Sequence, residues 1–216
     1  MTMVMRGLLL DGLGALELQL DDHQIDRLLE FLALLQRWNR VYNLTAVREP
    51  RQMLTHHLLD SLAAVPPLRR YLVEQGGACA RLLDVGSGGG LPGVVFAVCQ
   101  PGLEIVCVDA VAKKAAFVQQ AAASLQLRNL RGMHARVQEL QGPFDVVSSR
   151  AFASLADFTA WSRHLLAPGG VWLAMKGKPP DDEMAVLPAG VAVFHVEPLR
   201  VPQLDAERCI VWMRPA

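Results

Sequence analysis

The residues best suited to chemistry in this 216-residue chain fall in one stretch, Leu82-Leu83-Asp84-Val85-Gly86-Ser87-Gly88-Gly89-Gly90-Leu91-Pro92-Gly93. Four glycines within positions 86–90 give a backbone that can turn sharply and meet a ligand with no Cβ in the way. An apolar run precedes them, and Pro92 suits the first turn of a following helix. Strand, glycine turn and helix in that order form a cradle for a cofactor or an anion. Asp109 closes the next apolar run, 23 residues beyond Gly86. A carboxylate there can accept both ribose hydroxyls of a nucleoside-containing cofactor. It can equally cap a helix beginning near Val111, and the two roles are compatible.

The spacing of the glycines separates the possible cofactors. Gly88-x-Gly90-x-x-Gly93 satisfies a dinucleotide fingerprint only by sliding, because directly after the strand Leu91 stands where the third glycine belongs. No lysine of the Walker type follows the glycines, which argues against an NTPase. Cys79, Cys99, Cys107 and Cys209 form no C-x-x-C pair, and His56-His57 has no third ligand at a useful spacing. No metal site is therefore expected.

These residues need elements to hold them. Ile25, Leu28, Leu29, Leu32, Leu35 and Trp38 recur at helical spacing over 23–40, with Asp21 or Asp22 as cap. Further helices are expected over 49–62 and over 64–75, the Pro66-Pro67 pair marking the start of the second of these. From Arg81 the pattern changes to short apolar runs: 82–85, 105–108, 144–148, 171–175, 191–196 and 209–213. Such strands need cover on both faces, so a mostly parallel α/β sheet is expected, with helices over 91–100, 111–127, 154–166 and 181–187. The connection between the last two strands is too short for a crossover helix and predicts an antiparallel pair at the sheet edge. The expected division is a helical extension over 1–75 and a sheet domain over 76–216, with Gly76-Gly77 at the boundary.

Twenty-one basic and 21 acidic side chains balance to zero, so total charge points to neither nucleic acid nor an acidic membrane. Six basic residues between Lys113 and Arg150 face only Glu139 and Asp145, leaving a solvated face or a phosphate-binding surface. The N-terminus carries no long apolar leader, and no run approaches 18 uncharged apolar residues. A cytoplasmic protein is the expectation.

Asp84 followed by Gly-x-Gly-x-Gly, with the antiparallel ending, resembles the class I S-adenosylmethionine-dependent methyltransferases, whose sheet is Rossmann-like. Over nearly its whole length the chain further resembles the bacterial small-subunit ribosomal RNA guanine-N7 methyltransferases of the glucose-inhibited division protein B family. Four motifs carry the likeness: Trp38-Asn39-Arg40-Val41-Tyr42-Asn43-Leu44-Thr45, His57-Leu58-Leu59-Asp60-Ser61-Leu62, the glycine loop with Pro92-Gly93, and Ser149-Arg150-Ala151. The resemblance implies that S-adenosyl-L-methionine binds with its methionine end on Asp84, Gly86, Ser87, Gly88, Gly90 and Leu91. It puts the ribose on Asp109 and the adenine near Val137 and Gln138, where the family more often has an acidic residue than this glutamine. Arg150, with Asn43 and Lys176, is assigned to the reaction and to RNA contact, Arg150 also bordering the cofactor. The implied partner is 16S ribosomal RNA within the small subunit, approached by a monomer through a local basic face of Lys113, Lys114, Arg128, Arg131, Arg136, Arg150 and Lys176. Small-molecule or protein methylation, a nicotinamide-dependent oxidoreductase and a noncatalytic nucleotide-binding regulator share the same cradle and stay open at this point.

Overall fold

The computed structural model describes residues 2–76 and 80–216. Cys79 and the Gly77 half of the expected boundary lie outside the described residues. The chain opens with α1 (Thr2–Ala15) and α2 (Asp22–Tyr42), followed by α3 (Pro50–Met53), a π-helical turn over Leu54–Leu59, α4 (Asp60–Leu62) and α5 (Val65–Glu74). The sheet region then runs β1 (Arg81–Val85), α6 (Gly93–Cys99), β2 (Glu104–Asp109), α7 (Ala112–Ser124), β3 (Leu130–His134) and β4 (Phe144–Arg150). It ends with α8 (Leu155–Ser162), β5 (Leu166–Lys176), α9 (Asp181–Ala185), β6 (Val191–Leu199) and β7 (Arg208–Pro215).

The seven strands are ordered β3-β2-β1-β4-β5-β7-β6. Strands β1 to β5 are parallel, and β7 is antiparallel to both of its neighbours. The last two strands thus form the expected antiparallel pair at the sheet edge, β7 lying one place in and β6 pairing along its outer side. Strand β3 escaped the apolar-run criterion because, at the other edge, its residues need not be continuously buried: Arg131 is exposed. Gly132 of β3 permits α7 to cross closely, since a Cβ there would lie 2.7 Å from the Ala115 carbonyl oxygen. Helix α6 begins later than expected because 88–92 form turns, with Pro92 at its N-cap.

Period-2 alternation splits the strand side chains between two cores. Leu82, Ile105, Val146, Leu173 and Trp212 join a cluster with Leu9, Leu28, Phe31, Leu35 and Leu58 of the helical front and Phe96 and Phe117 of α6 and α7. Leu83, Val108, Val147, Trp172 and Val211 pack with Leu155 and Phe158 on the opposite face. The helical front is therefore built into the same core as the sheet helices. Each fully buried leucine contributes about 1.5–3 kcal/mol to that seam.

Helix α2 is fixed at its start by a reciprocal cap. The Gln24 N–H donates to Asp21 Oδ1 at 2.7 Å, and the Asp21 N–H donates to Gln24 Oε1 at 3.1 Å. Gln24 Nε2 also donates to the Val98 carbonyl of α6 at 2.8 Å, tying front to sheet domain. The 50–62 region is helical as expected but not uniformly α. Thr55 Oγ1 donates to the Arg51 and Gln52 carbonyls, and such back-bonding competes with the regular ladder where the turn widens to π. Removing the cap with Asp21→Ala is expected to lower stability by about 1 kcal/mol, read from urea unfolding; an unchanged midpoint would deny the cap that role.

Candidate active site

Parallel pairing sets Val85 of β1 opposite Val108 of β2, so the loops leaving the two strands emerge side by side. Gly86 and Ser87 each donate an N–H to the Val108 carbonyl, at 2.9 and 3.2 Å, folding the glycine loop over the end of β2. Gly86, Gly88 and Gly90 hold φ values of +65°, +56° and +78°, a region costly for residues with a Cβ. At Gly86 a Cβ would also sit 2.2 Å from Phe152 Cδ2. The loop presents the Gly88 N–H to Asp109 Oδ2 at 3.0 Å, while Asp109 Oδ1 accepts the Val111 N–H at 2.9 Å. The capping role and an open acceptor role coexist, because an ionised carboxylate has about four acceptor sites and the two backbone bonds occupy two.

These groups border a cavity of about 520 Å³ at the carboxyl edge of the strands. Its lining includes Gly86, Asp109, Lys114, Arg136, Val137 and Gln138 on one side, and Phe152 and Trp161 on the other. It lies where the strand order reverses between β1 and β4, the place where open α/β sheets bind ligands. Its volume falls within the range of small-molecule sites. Lys114 Nζ stands 3.9 Å from Asp109 Oδ2.

The structure brings Gly86, Asp109, Val137 and Gln138 together in the wall, with Gly88 bonded to it through Asp109. It does not bring Asp84 there. Asp84 is fully buried behind the loop, where Oδ2 accepts the Gly93 N–H at 2.9 Å and Oδ1 accepts Ser148 Oγ–H at 3.1 Å. It pins the start of α6 to β1 and β4. Gly93 allows this approach, since a Cβ would meet Cys107 Sγ at 2.2 Å. Ser87, Gly90 and Leu91 are buried in the turn and lie outside the cavity lining.

Arg150, Lys176 and Asn43 also stand outside this wall. Alternation aims Arg150 at the helical front, where Nη1 donates to Asp60 Oδ2 at 2.8 Å and to the His56 carbonyl at 3.1 Å. Lys176 faces the other side of the sheet and donates to Glu183, at 2.8 Å to Oε2, and to the Ala153 carbonyl. Asn43 ends α2 in the left-handed region, its Oδ1 accepting from Arg48 Nη2 at 3.1 Å. Much of the Trp38–Thr45 motif is scaffold: Asn39 accepts the Thr45 N–H at 2.8 Å, Thr45 Oγ1 meets His57 Nε2 at 2.7 Å, and Trp38 packs on Phe117. Burial and the neighbouring Arg150 guanidinium push His57 down to about 4, so it is neutral at pH 7.

The residues of the expected basic face fall in different places. Arg128 lines a different hollow with Arg27 and Pro101, whereas Lys114 and Arg136 border the cavity. Sequence reading missed Phe152 and Trp161, although an aromatic two residues after Arg150 and a tryptophan on the helix leaving β4 were visible signals. Among the described residues, no group of three His, Cys, Asp or Glu stands together as a metal site, and no helix is long and apolar enough to cross a membrane.

The sheet order and the cradle at its switch point define the class I, Rossmann-like methyltransferase fold. Among solved structures, a SAM-dependent methyltransferase from Aquifex aeolicus superposes with a TM-score of 0.52 at 14% identity, covering 71% of this chain and 92% of that one. TrmN from Thermus thermophilus gives 0.54 at 19% identity, covering 76% and 53%. Residues 24–211 match the family GidB, rRNA small subunit methyltransferase G, and the chain belongs to it. The ribosomal RNA small subunit methyltransferases G of Acidovorax ebreus and Polaromonas naphthalenivorans are 71% and 61% identical to it. The alignments cover 95% and 98% of this chain and 93% and 96% of those proteins.

Burial dominates Asp84 and pushes it up to about 7 from 3.8, against the Gly93 and Ser148 hydrogen bonds that hold it down. A carboxyl raised in the folded state contributes stability below its unfolded value and loses that contribution as pH rises through the folded value. The stability difference between the native chain and Asp84→Asn should therefore change between about pH 4 and pH 7, the native chain losing ground as pH rises. A difference constant across that window, by urea unfolding, would contradict a buried, proton-retaining Asp84.

Proposed function

We propose that this chain transfers a methyl group from S-adenosyl-L-methionine to N7 of a guanine in the decoding-region loop of 16S ribosomal RNA. The observation that carries the reading is the meeting of Gly86 and Asp109 on one cavity, with Asp109 held by the Gly88 N–H, in a chain of the small-subunit rRNA methyltransferase G family. The residues present fit the cofactor: a carboxylate with acceptor capacity left for paired hydroxyls, and a glycine loop with no Cβ to obstruct approach. When bound, S-adenosyl-L-methionine supplies a sulfonium-activated methyl group.

Asp109 accepts the ribose hydroxyls, and the Gly88 N–H keeps its carboxylate turned toward them. Gly86 allows close approach at the methionine end, with Phe152 covering the loop. Val137 and Gln138 border the adenine, where the glutamine amide can both donate and accept. Asp84 acts from behind, as a positioning residue for the loop. Ser87, Gly90 and Leu91 shape the same turn.

Guanine N7 carries an in-plane lone pair in the neutral base, so the chain has no proton to remove. Its contribution is orientation, which can be worth roughly 7–11 kcal/mol. Arg150, Lys176 and Asn43 serve the RNA, Arg150 through phosphate or the guanine O6 edge. We assign residues 1–75 as the extension that shapes the substrate side and 76–216 as the methyltransferase domain. The enzyme works in the cytoplasm as a monomer, with the small ribosomal subunit as partner.

Labelled S-adenosyl-L-methionine incubated with undermethylated small subunits should leave one N7-methylguanine in the decoding-region loop. A label on another base, or none, would overturn the substrate assignment. Asp109→Ala should weaken cofactor binding in calorimetry by tenfold or more while circular dichroism stays unchanged; native affinity would remove Asp109 from the ribose.

A further inference from the structure

Asp60 follows the π-helical turn and is 3% exposed. Its carboxylate accepts from two arginines: Arg150 Nη1 of β4 at 2.8 Å on Oδ2 and Arg208 Nε of β7 at 2.6 Å on Oδ1. Strand register explains the meeting. Arg150 pairs with Met175 and Met175 with Ile210, so β7, running opposite to β4 and β5, begins at the edge where they end. Alternation along β7 then turns Arg208, like Ile210, toward the helical front.

One carboxylate ion-paired to two guanidiniums leaves one positive charge over, and the nearby buried Asp84, raised by burial to about 7, offsets it only in part at pH 7. His57 beside them is neutral, and Glu207 contributes its backbone carbonyl to Arg208 Nη1 at 2.7 Å. Each arginine has five N–H donors in a planar fork. Arg150 Nη2 and Nε and Arg208 Nη2 make no hydrogen bond among the described residues, and the two side chains keep 19% and 24% exposure. A half-buried excess cation is costly unless an anion completes it. Two forks held at fixed orientation by a shared carboxylate suit the oxygens of a phosphodiester. A π-turn at the point that delivers Asp60 is a further mark of a functional position.

We infer that Arg208 and Arg150, clamped by Asp60, form one phosphodiester-binding site for the RNA substrate, with Arg208 as an RNA-contacting residue and Asp60 as the positioning residue. The inference rests on the RNA-methylating reading. Arg208 then contributes to substrate binding and not to methyl transfer itself.

The test compares the full native chain with Arg208→Gln and Arg208→Lys. For Arg208→Gln, the KM for undermethylated small subunits should rise about tenfold with kcat within about twofold and unchanged S-adenosyl-L-methionine affinity. The slope of log affinity against log salt for a decoding-region RNA hairpin should fall by about one, and Arg208→Lys, which keeps the charge, should restore it. A lower melting temperature with native KM and slope would make Arg208 structural only and overturn the site. Phenylglyoxal labelling of the native chain needs no variant to fold: RNA should protect Arg208, and equal labelling with RNA bound would also overturn it. A native chain that binds the cofactor but methylates no small subunit would instead fault the underlying reading.

Discussion

The hydrogen bond from the Gly88 N–H to Asp109 Oδ2, 3.0 Å long, is the constraint on which the site depends. It makes the orientation of the carboxylate a property of the loop backbone rather than of a free side chain. The loop can reach that point only because residues 86, 88 and 90 lack a Cβ at positive φ and because β1 and β2 deliver their ends side by side. A single added methyl group at Gly86 would collide with Phe152, so the geometry has little slack. Preorganisation of this kind is what a reaction relying on alignment requires.

Behind the site, buried polar groups do the holding. Asp84 joins the end of β1 to the start of α6 and to Ser148 of β4, and Asp60 joins the helical front to β4 and β7. Both carboxylates sit on the face covered by the front, in the same apolar cluster that runs from Met5 to Trp212. Lys176 and Glu183 form a separate pair on the other face. The reactive edge is thus flanked by two cationic groups of different origin, one tied to the front and one to α9.

The sheet was legible because continuous apolar runs admit few arrangements, and the glycine spacing marked where it would open. Strand β3 was not, since an edge strand with an exposed arginine and a glycine carries no such run. Asp109 could be placed from its position at a strand end, but Asp84 could not be separated from it: the two carboxylates occupy similar sites in sequence, and only the register, which sets Asp84 opposite Cys107 and so two positions short of Asp109, leaves one behind the loop. Arg150 and Lys176 read alike for the same reason, although the sheet lies between them. The Arg208 contact to Asp60 spans 148 positions, a pairing that no local pattern encodes.

The central claim is that one ligand is held jointly by the glycine loop and Asp109. A crystal structure of the chain with S-adenosyl-L-homocysteine tests it most directly. The ribose hydroxyl oxygens should lie within about 3 Å of Asp109, with the Gly88 N–H still on the same carboxylate. A ligand bound away from this cavity, or a ribose that leaves Asp109 untouched, would contradict it.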